Sequence, residues 1–157
     1  MFRVCFVCYG NICRSPMAEF IFKDLIFSNN KRYKMSCTSR ATSFEEIGND
    51  IDPEAKKVLD KNKINIEKHK AKVFKKEDYK EFDLIIVMEN KNLNDIINII
   101  GEDNENKIHK LREFSGDNID IEDPWYTGRF EYVYSLIYEG CLRLFNYILK
   151  LGDAYEV

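Results

Sequence analysis

Proline and glycine are scarce, at three and seven in 157 residues. No Pro/Gly/Ser-rich stretch, repeat or shift in composition divides the chain, so one domain over 1–157 is expected. No apolar run approaches the ~18–20 residues that cross a bilayer, which excludes a helical membrane span. The apolar first ten residues carry no basic leader beyond Arg3 and are cut short by Asn11 and Arg14. They are not expected to act as an export signal, and a cytoplasmic location is expected. Neither sign of charge prevails. Lys and Arg total 24 against 27 Asp and Glu, for a net charge of −3, which argues against a nucleic-acid partner. There are two histidines, and no second C-x-x-C accompanies Cys5-x-x-Cys8, so the ligand spacing of a zinc site is missing.

Cysteines number five, an odd count: Cys5, Cys8, Cys13, Cys37 and Cys141. In a cytosolic chain long enough to bury a core without staples, this points to thiol chemistry and not to a disulfide framework. Residues 3–8 (RVCFVC) form a continuous apolar run, as expected of a strand buried on both faces of a parallel sheet. Cys5 and Cys8, three apart on that strand, face opposite sides, and Cys5 is assigned to packing. A polar loop follows, and Ser15-Pro16 opens a helix with Ser15 as its cap. Its apolar stripe is Met17, Phe20, Ile21, Leu25 and Ile26.

Further strands are predicted at 34–38, 83–88 and, more weakly, 107–111. Helices are predicted from Asp52-Pro53-Glu54, over 93–100 with Gly101 as its stop, and from Phe130 to a stop at Gly152. Alternating strands and helices predict an α/β fold with a parallel sheet, whose ligands bind outside the carboxyl ends of the strands. The nine lysines between Lys56 and Lys76 read as a solvated helix face and loop, with an acidic partner as the alternative. His109, near a strand, reads as structural.

The loop at the end of the first strand is Cys8-Tyr9-Gly10-Asn11-Ile12-Cys13-Arg14-Ser15, or C-x5-R-S. A loop that runs from a buried strand into a helix N-terminus directs unpaired amides at one point, where the helix dipole favours an anion. Gly10 is expected to supply an unusual backbone conformation. Arg14 offers a planar fork for phosphate oxygens. A Cys8 thiol at the mouth of such a cradle is expected to ionise readily, with Ser15 donating to the sulfur.

The stretch VCFVCYGNICRSPMAE, together with IEDPWY at 121–126, resembles the low-molecular-weight protein tyrosine phosphatases, and ATSFEEIG, KEDYKEFDLIIVME and the closing helix extend the likeness over nearly the whole chain. The resemblance implies a doubly wound α/β domain with a four-stranded parallel sheet flanked by helices. It implies hydrolysis of phosphotyrosine in proteins, and of small aryl phosphates, without metal or cofactor. It assigns Cys8 as nucleophile, Arg14 as phosphate clamp and Asp123 as general acid; the nearby Asp120 and Glu122 are rival carboxylates by position and read as solvated loop charges. Residues 9–15 bind the phosphate, and Asn11, Ser15, Ser39 and His69 hold the loop. Ile12, Glu45, Glu46, Trp125 and Tyr126 wall the substrate pocket. Relative to common members, Trp125 stands for a frequent Tyr, Tyr9 for an aliphatic and Glu45 for an aromatic. Cys8 and Cys13 form the expected redox pair. Expected partners are phosphotyrosine-containing proteins, and phosphate or other oxyanions in the site, with the chain a monomer or weak dimer. Arsenate reduction, hosted by the same fold, needs shuttling cysteines, and residues 38–140 contain none. A binding module without turnover would lack the Cys, Arg or Asp that are all present.

Overall fold

The computed structural model describes residues 1–155. Four strands, β1 (Phe2–Cys8), β2 (Met35–Ala41), β3 (Leu84–Val87) and β4 (Ile108–Lys110), form one sheet in the order β2-β1-β3-β4. All three pairings are parallel. β1 is central because its side chains are apolar on both faces. Val4, Phe6 and Cys8 enter one core with α1 (Arg14–Ser28) and α5 (Phe130–Tyr155). Cys5 and Val7 enter a second core with Ile96 and Ile100 of α3 (Asn90–Ile100), so Cys5 packs as expected.

α1 is wider in its burial than a single stripe. Every residue from Arg14 to Phe22 is buried, because the sheet covers one side and α5 another. Phe6, Phe22 and Phe145 meet edge to face across this layer, at 5.5 and 5.9 Å between ring centres. α2 (Pro53–Lys61) begins as expected: the Asp52 carboxylate accepts from the amides of Glu54 (2.9 Å) and Ala55 (3.4 Å), a cap worth about 1 kcal/mol.

Two expected caps fail. Ser15 lies inside α1, not at its end; the preceding Cys13 occupies the cap position with no side-chain bond. Gly152 does not stop α5, which continues to Tyr155. Glycine ends a helix by turning left-handed, as Gly101 does after α3 at φ 89°. Gly152 has no such φ and keeps helical backbone. His109 is placed as a structural residue, bonded to Glu113 (2.8 Å) and to the carbonyl of Asn106 (2.9 Å). Among the described residues, no helix is long and apolar enough to cross a membrane.

The chain leaves β1 for β2 on one side and later returns to β3 on the other. The carboxyl ends of β1 and β3 therefore border the crevice where the connections diverge, the place where such sheets bind ligands.

Candidate active site

Residues 9–13 turn from β1 into α1 around the sulfur of Cys8. The amides of Asn11 and Ser15 donate to Cys8 Sγ at 3.3 and 3.4 Å, and Ser15 Oγ lies 3.0 Å away. Ser15 thus serves the sulfur from the first turn of the helix. Cys8 is only 3% exposed, at the floor of a narrow pit of about 50 Å³, the scale of one small anion. The pit is walled by Tyr9, Gly10, Ile12, Cys13 and Arg14 of the loop, by Glu45 and Glu46, and by Asp123, Trp125 and Tyr126.

The left-handed residue of the loop is Asn11, at φ 60°, and not Gly10, which has negative φ. Asparagine tolerates this region because its amide can satisfy the local backbone. Here Asn11 is fully buried. Its Nδ2 donates to Ser15 Oγ (2.8 Å) and Ser39 Oγ (2.9 Å), and its Oδ1 accepts from the Lys72 amide (3.1 Å). His69 Nε2 meets the Asn11 carbonyl at 2.6 Å. The four support residues read from the sequence are therefore one bonded unit. Nor does packing demand glycine at 10: a Cβ there would lie 3.4 Å from Glu46 Cγ, an ordinary van der Waals contact.

Arg14 is 2% exposed, and its charge is balanced by two carboxylates. Nη1 reaches Glu89 Oε2 at 2.5 Å and the carbonyl of Ile121 at 2.9 Å, while Nη2 lies 3.5 Å from Asp123 Oδ2. Burial opposes its positive charge, but Cys8, Glu89 and Asp123 outweigh burial and raise its pKa. Asp123 also caps α4 (Pro124–Thr127), its Oδ1 accepting from the Trp125 amide at 3.0 Å. The rival carboxylates are engaged elsewhere: Asp120 with Lys110 (2.9 Å), and Glu122 with Arg129, which holds it down to about 2.

On the rim, Tyr9 donates to Glu45 at 2.7 Å, and Lys91 lies 4.3 Å above its ring. Trp125 and Tyr126 are exposed. Cys13 is buried, which drives its thiol well up, with Asp52 and Cys8 adding to the shift. Sequence reasoning missed Glu89, and also Glu19, which accepts from Ser39 Oγ at 2.6 Å. Glu89 stands two residues past the end of β3, at the crevice that the strand order defines.

A family model described as low molecular weight phosphotyrosine protein phosphatase matches residues 3–153. The chain belongs to the low molecular weight protein tyrosine phosphatases. A family member from Bacillus subtilis, YfkJ, is 36% identical over 152 residues, covering 96% of this chain and 97% of the relative. PtpA of Staphylococcus aureus, also a low molecular weight protein-tyrosine-phosphatase, is 36% identical over 157 residues and 99% of both chains. The crystal structure of YfkJ superposes with a TM-score of 0.93 over 96% of each chain. That of the family phosphatase from Streptococcus pyogenes, 38% identical, gives 0.83 over 93% of this chain and 92% of the other. The four-stranded parallel sheet with flanking helices expected from the sequence is thus the fold of this phosphatase family.

Proposed function

We propose that the protein hydrolyses phosphotyrosine in proteins, and small aryl phosphates, through a phosphocysteine at Cys8. The observation that carries this reading is a sulfur ringed by two amides and a hydroxyl at 3.0–3.4 Å, beneath an Arg14–Asp123 pair 3.5 Å apart. Hydrogen bonds of this kind favour the anionic sulfur as nucleophile and leaving group. Glu89 and Ile121 hold Arg14 by Nη1, which leaves Nε and Nη2 for phosphate oxygens.

In the first step the Cys8 thiolate attacks phosphorus in line and the phosphorus–phenol oxygen bond breaks. A phenol has a pKa near 10 and leaves poorly as an anion, so Asp123 gives its proton to the departing oxygen. In the second step the Asp123 carboxylate takes a proton from water. The water oxygen bonds to phosphorus, the sulfur–phosphorus bond breaks, and the thiolate and inorganic phosphate are restored. Arg14 and the loop amides hold the equatorial oxygens throughout, a contribution of several kcal/mol in comparable sites. Trp125 and Tyr126 flank the phenyl ring outside the pit, and Ile12 lines its wall.

The test is hydrolysis of p-nitrophenyl phosphate with chelator present. Wild type turns over and Cys8→Ser does not; undiminished turnover by Cys8→Ser rejects the reading. All five cysteines are unpaired, in keeping with a reducing cytoplasm. Cys13 shares the pit with Cys8 and traps an oxidised Cys8 as a disulfide. Oxidation starts at Cys8, because the buried Cys13 stays protonated. After peroxide, Cys13→Ser is expected to lose rescue by thiols; full rescue excludes the pairing.

A further inference from the structure

Outside the pit, the strongest feature is a cationic channel. The segment after α2 runs extended past the end of β2. The Ala41 amide donates to the Lys72 carbonyl at 2.7 Å, and the Phe74 amide returns to the Ala41 carbonyl at 2.8 Å. Alternate side chains of an extended segment share a face. Lys68, Lys70 and Lys72 are all exposed, and with Arg40 and the intervening His69 they line a groove of about 310 Å³. Arg40 and Lys72 also line a neighbouring hollow of about 470 Å³ with Lys75, Phe44 and Ile47, so the two hollows adjoin across these side chains and together make up the channel.

The acids of this channel are already engaged. Glu19 takes Lys23 at 2.7 Å and Ser39 at 2.6 Å. Asp78 takes the Lys75 amide at 2.8 Å and lies 4.0 Å from Arg40. Among the described residues, no carboxylate pairs with Lys68, Lys70 or Lys72. In a chain of net charge −3, this is a concentrated local field of the opposite sign.

The channel ends at the rim of the active site. Residues 44–47 divide the two: Glu45 and Glu46 line the pit, while Phe44 and Ile47, 74% and 54% exposed, line the channel. A polypeptide whose phosphotyrosine sits in the pit and which continues over this divider enters the channel.

We propose that the channel docks an acidic, extended stretch of the phosphotyrosine-bearing polypeptide, set back several residues from the phosphotyrosine. The proposal rests on the phosphatase reading and names its substrate class. Charge sign selects an acidic occupant. The lysines at i, i+2 and i+4 repeat about every 7 Å, the spacing of same-face side chains in an extended peptide. Phe44 and Ile47 suit an apolar residue between the two anchors. Acids directly beside the phosphotyrosine meet Glu45 and Glu46 and are rejected, so the position of the acidic run matters as well as its presence.

The experiment compares kcat/KM for phosphotyrosine peptides of equal length: a neutral one, one with acids adjacent to the phosphotyrosine, and ones with acids set back on either side. One set-back peptide is expected to exceed the neutral peptide roughly tenfold, about 1.4 kcal/mol, through KM. Lys68→Glu/Lys70→Glu removes that advantage and Lys68→Gln/Lys70→Gln reduces it, both leaving p-nitrophenyl phosphate turnover unchanged. An advantage that survives the charge reversal, or that appears only with adjacent acids, overturns the proposal. So does tripolyphosphate binding to the channel of Cys8→Ser with no peptide preference, which would make it a small-anion site. Absence of p-nitrophenyl phosphate turnover in the wild type would instead reject the phosphatase reading, so the two failures are distinct.

Discussion

Asn11 tests how the loop is held. It is fully buried at φ 60°, with side-chain bonds of 2.8, 2.9 and 3.1 Å to Ser15, Ser39 and the Lys72 amide. Asn11→Ala removes all three, at about 1 kcal/mol each. It also places a Cβ-bearing residue without a stabilising amide in the left-handed region, at roughly 1 kcal/mol more. The total is about 4 kcal/mol, and at ~2–4 °C per kcal/mol for a chain of this size Tm should fall by about 8–16 °C. Asn11→Gly loses the same bonds without the strain, so it should melt ~2–4 °C above Asn11→Ala. That order reverses the usual one, in which glycine is the less stable of the two. The Asn11 amide is also one of two that aim at Cys8 Sγ. Losing its placement should cost Asn11→Ala on the order of 10²-fold in kcat, the cost of one preorganised donor. Thermal melts and p-nitrophenyl phosphate turnover of the three proteins decide the matter. An alanine variant at least as stable as the glycine variant, or one with full kcat, refutes the reasoning.

Asp123→Ala should slow phenyl phosphates with poor leaving groups far more than those with good ones, so kcat plotted against leaving-group pKa steepens; equal slowing at every pKa removes Asp123 from the acid role. At Gly140 an added Cβ would stand 2.7 Å from Leu111 Cγ, so Gly140→Ala should destabilise by about 1–3 kcal/mol despite alanine's better helix propensity, and a raised Tm would contradict the close packing of α5 on Leu111. Glu122, held down to about 2 by Arg129 and then Thr127, is depressed relative to the unfolded chain. Its contribution is therefore complete above about pH 4.3 and fades as pH falls toward 2. A carboxyl titration by NMR should find Glu122 back near its ordinary value in Arg129→Gln, and an unmoved midpoint would exclude the pairing.

The elements most legible in the sequence were those whose cause is local. The run RVCFVC is apolar on both faces and became the central strand β1; the Asp52-Pro53 start and the Gly101 stop carry their chemistry within a few residues. The C-x5-R-S loop showed its purpose because a strand end and a helix start bracket it. What failed depended on distant partners. Ser15 has the composition of a cap, but the sulfur seven residues earlier claims its hydroxyl. Gly10 was the obvious residue for an unusual backbone. Asn11 took that conformation instead, because Ser39, His69 and Lys72 arrive from 28, 58 and 61 residues away to bind it. Glu89 and Glu19 are ordinary acids in the sequence, and only the sheet brings Glu89 against Arg14, 75 residues apart. Gly152 looked like a stop by identity alone, whereas a stop requires a left-handed turn.

The most direct test of the central claim is where the phosphorus goes during turnover. An aryl phosphate reaction quenched in the steady state, digested and read by peptide mass spectrometry should show the phosphoryl group on the peptide bearing Cys8, attached to sulfur. Turnover with no phosphorylated peptide, or with the phosphoryl group on any other residue, would contradict the account.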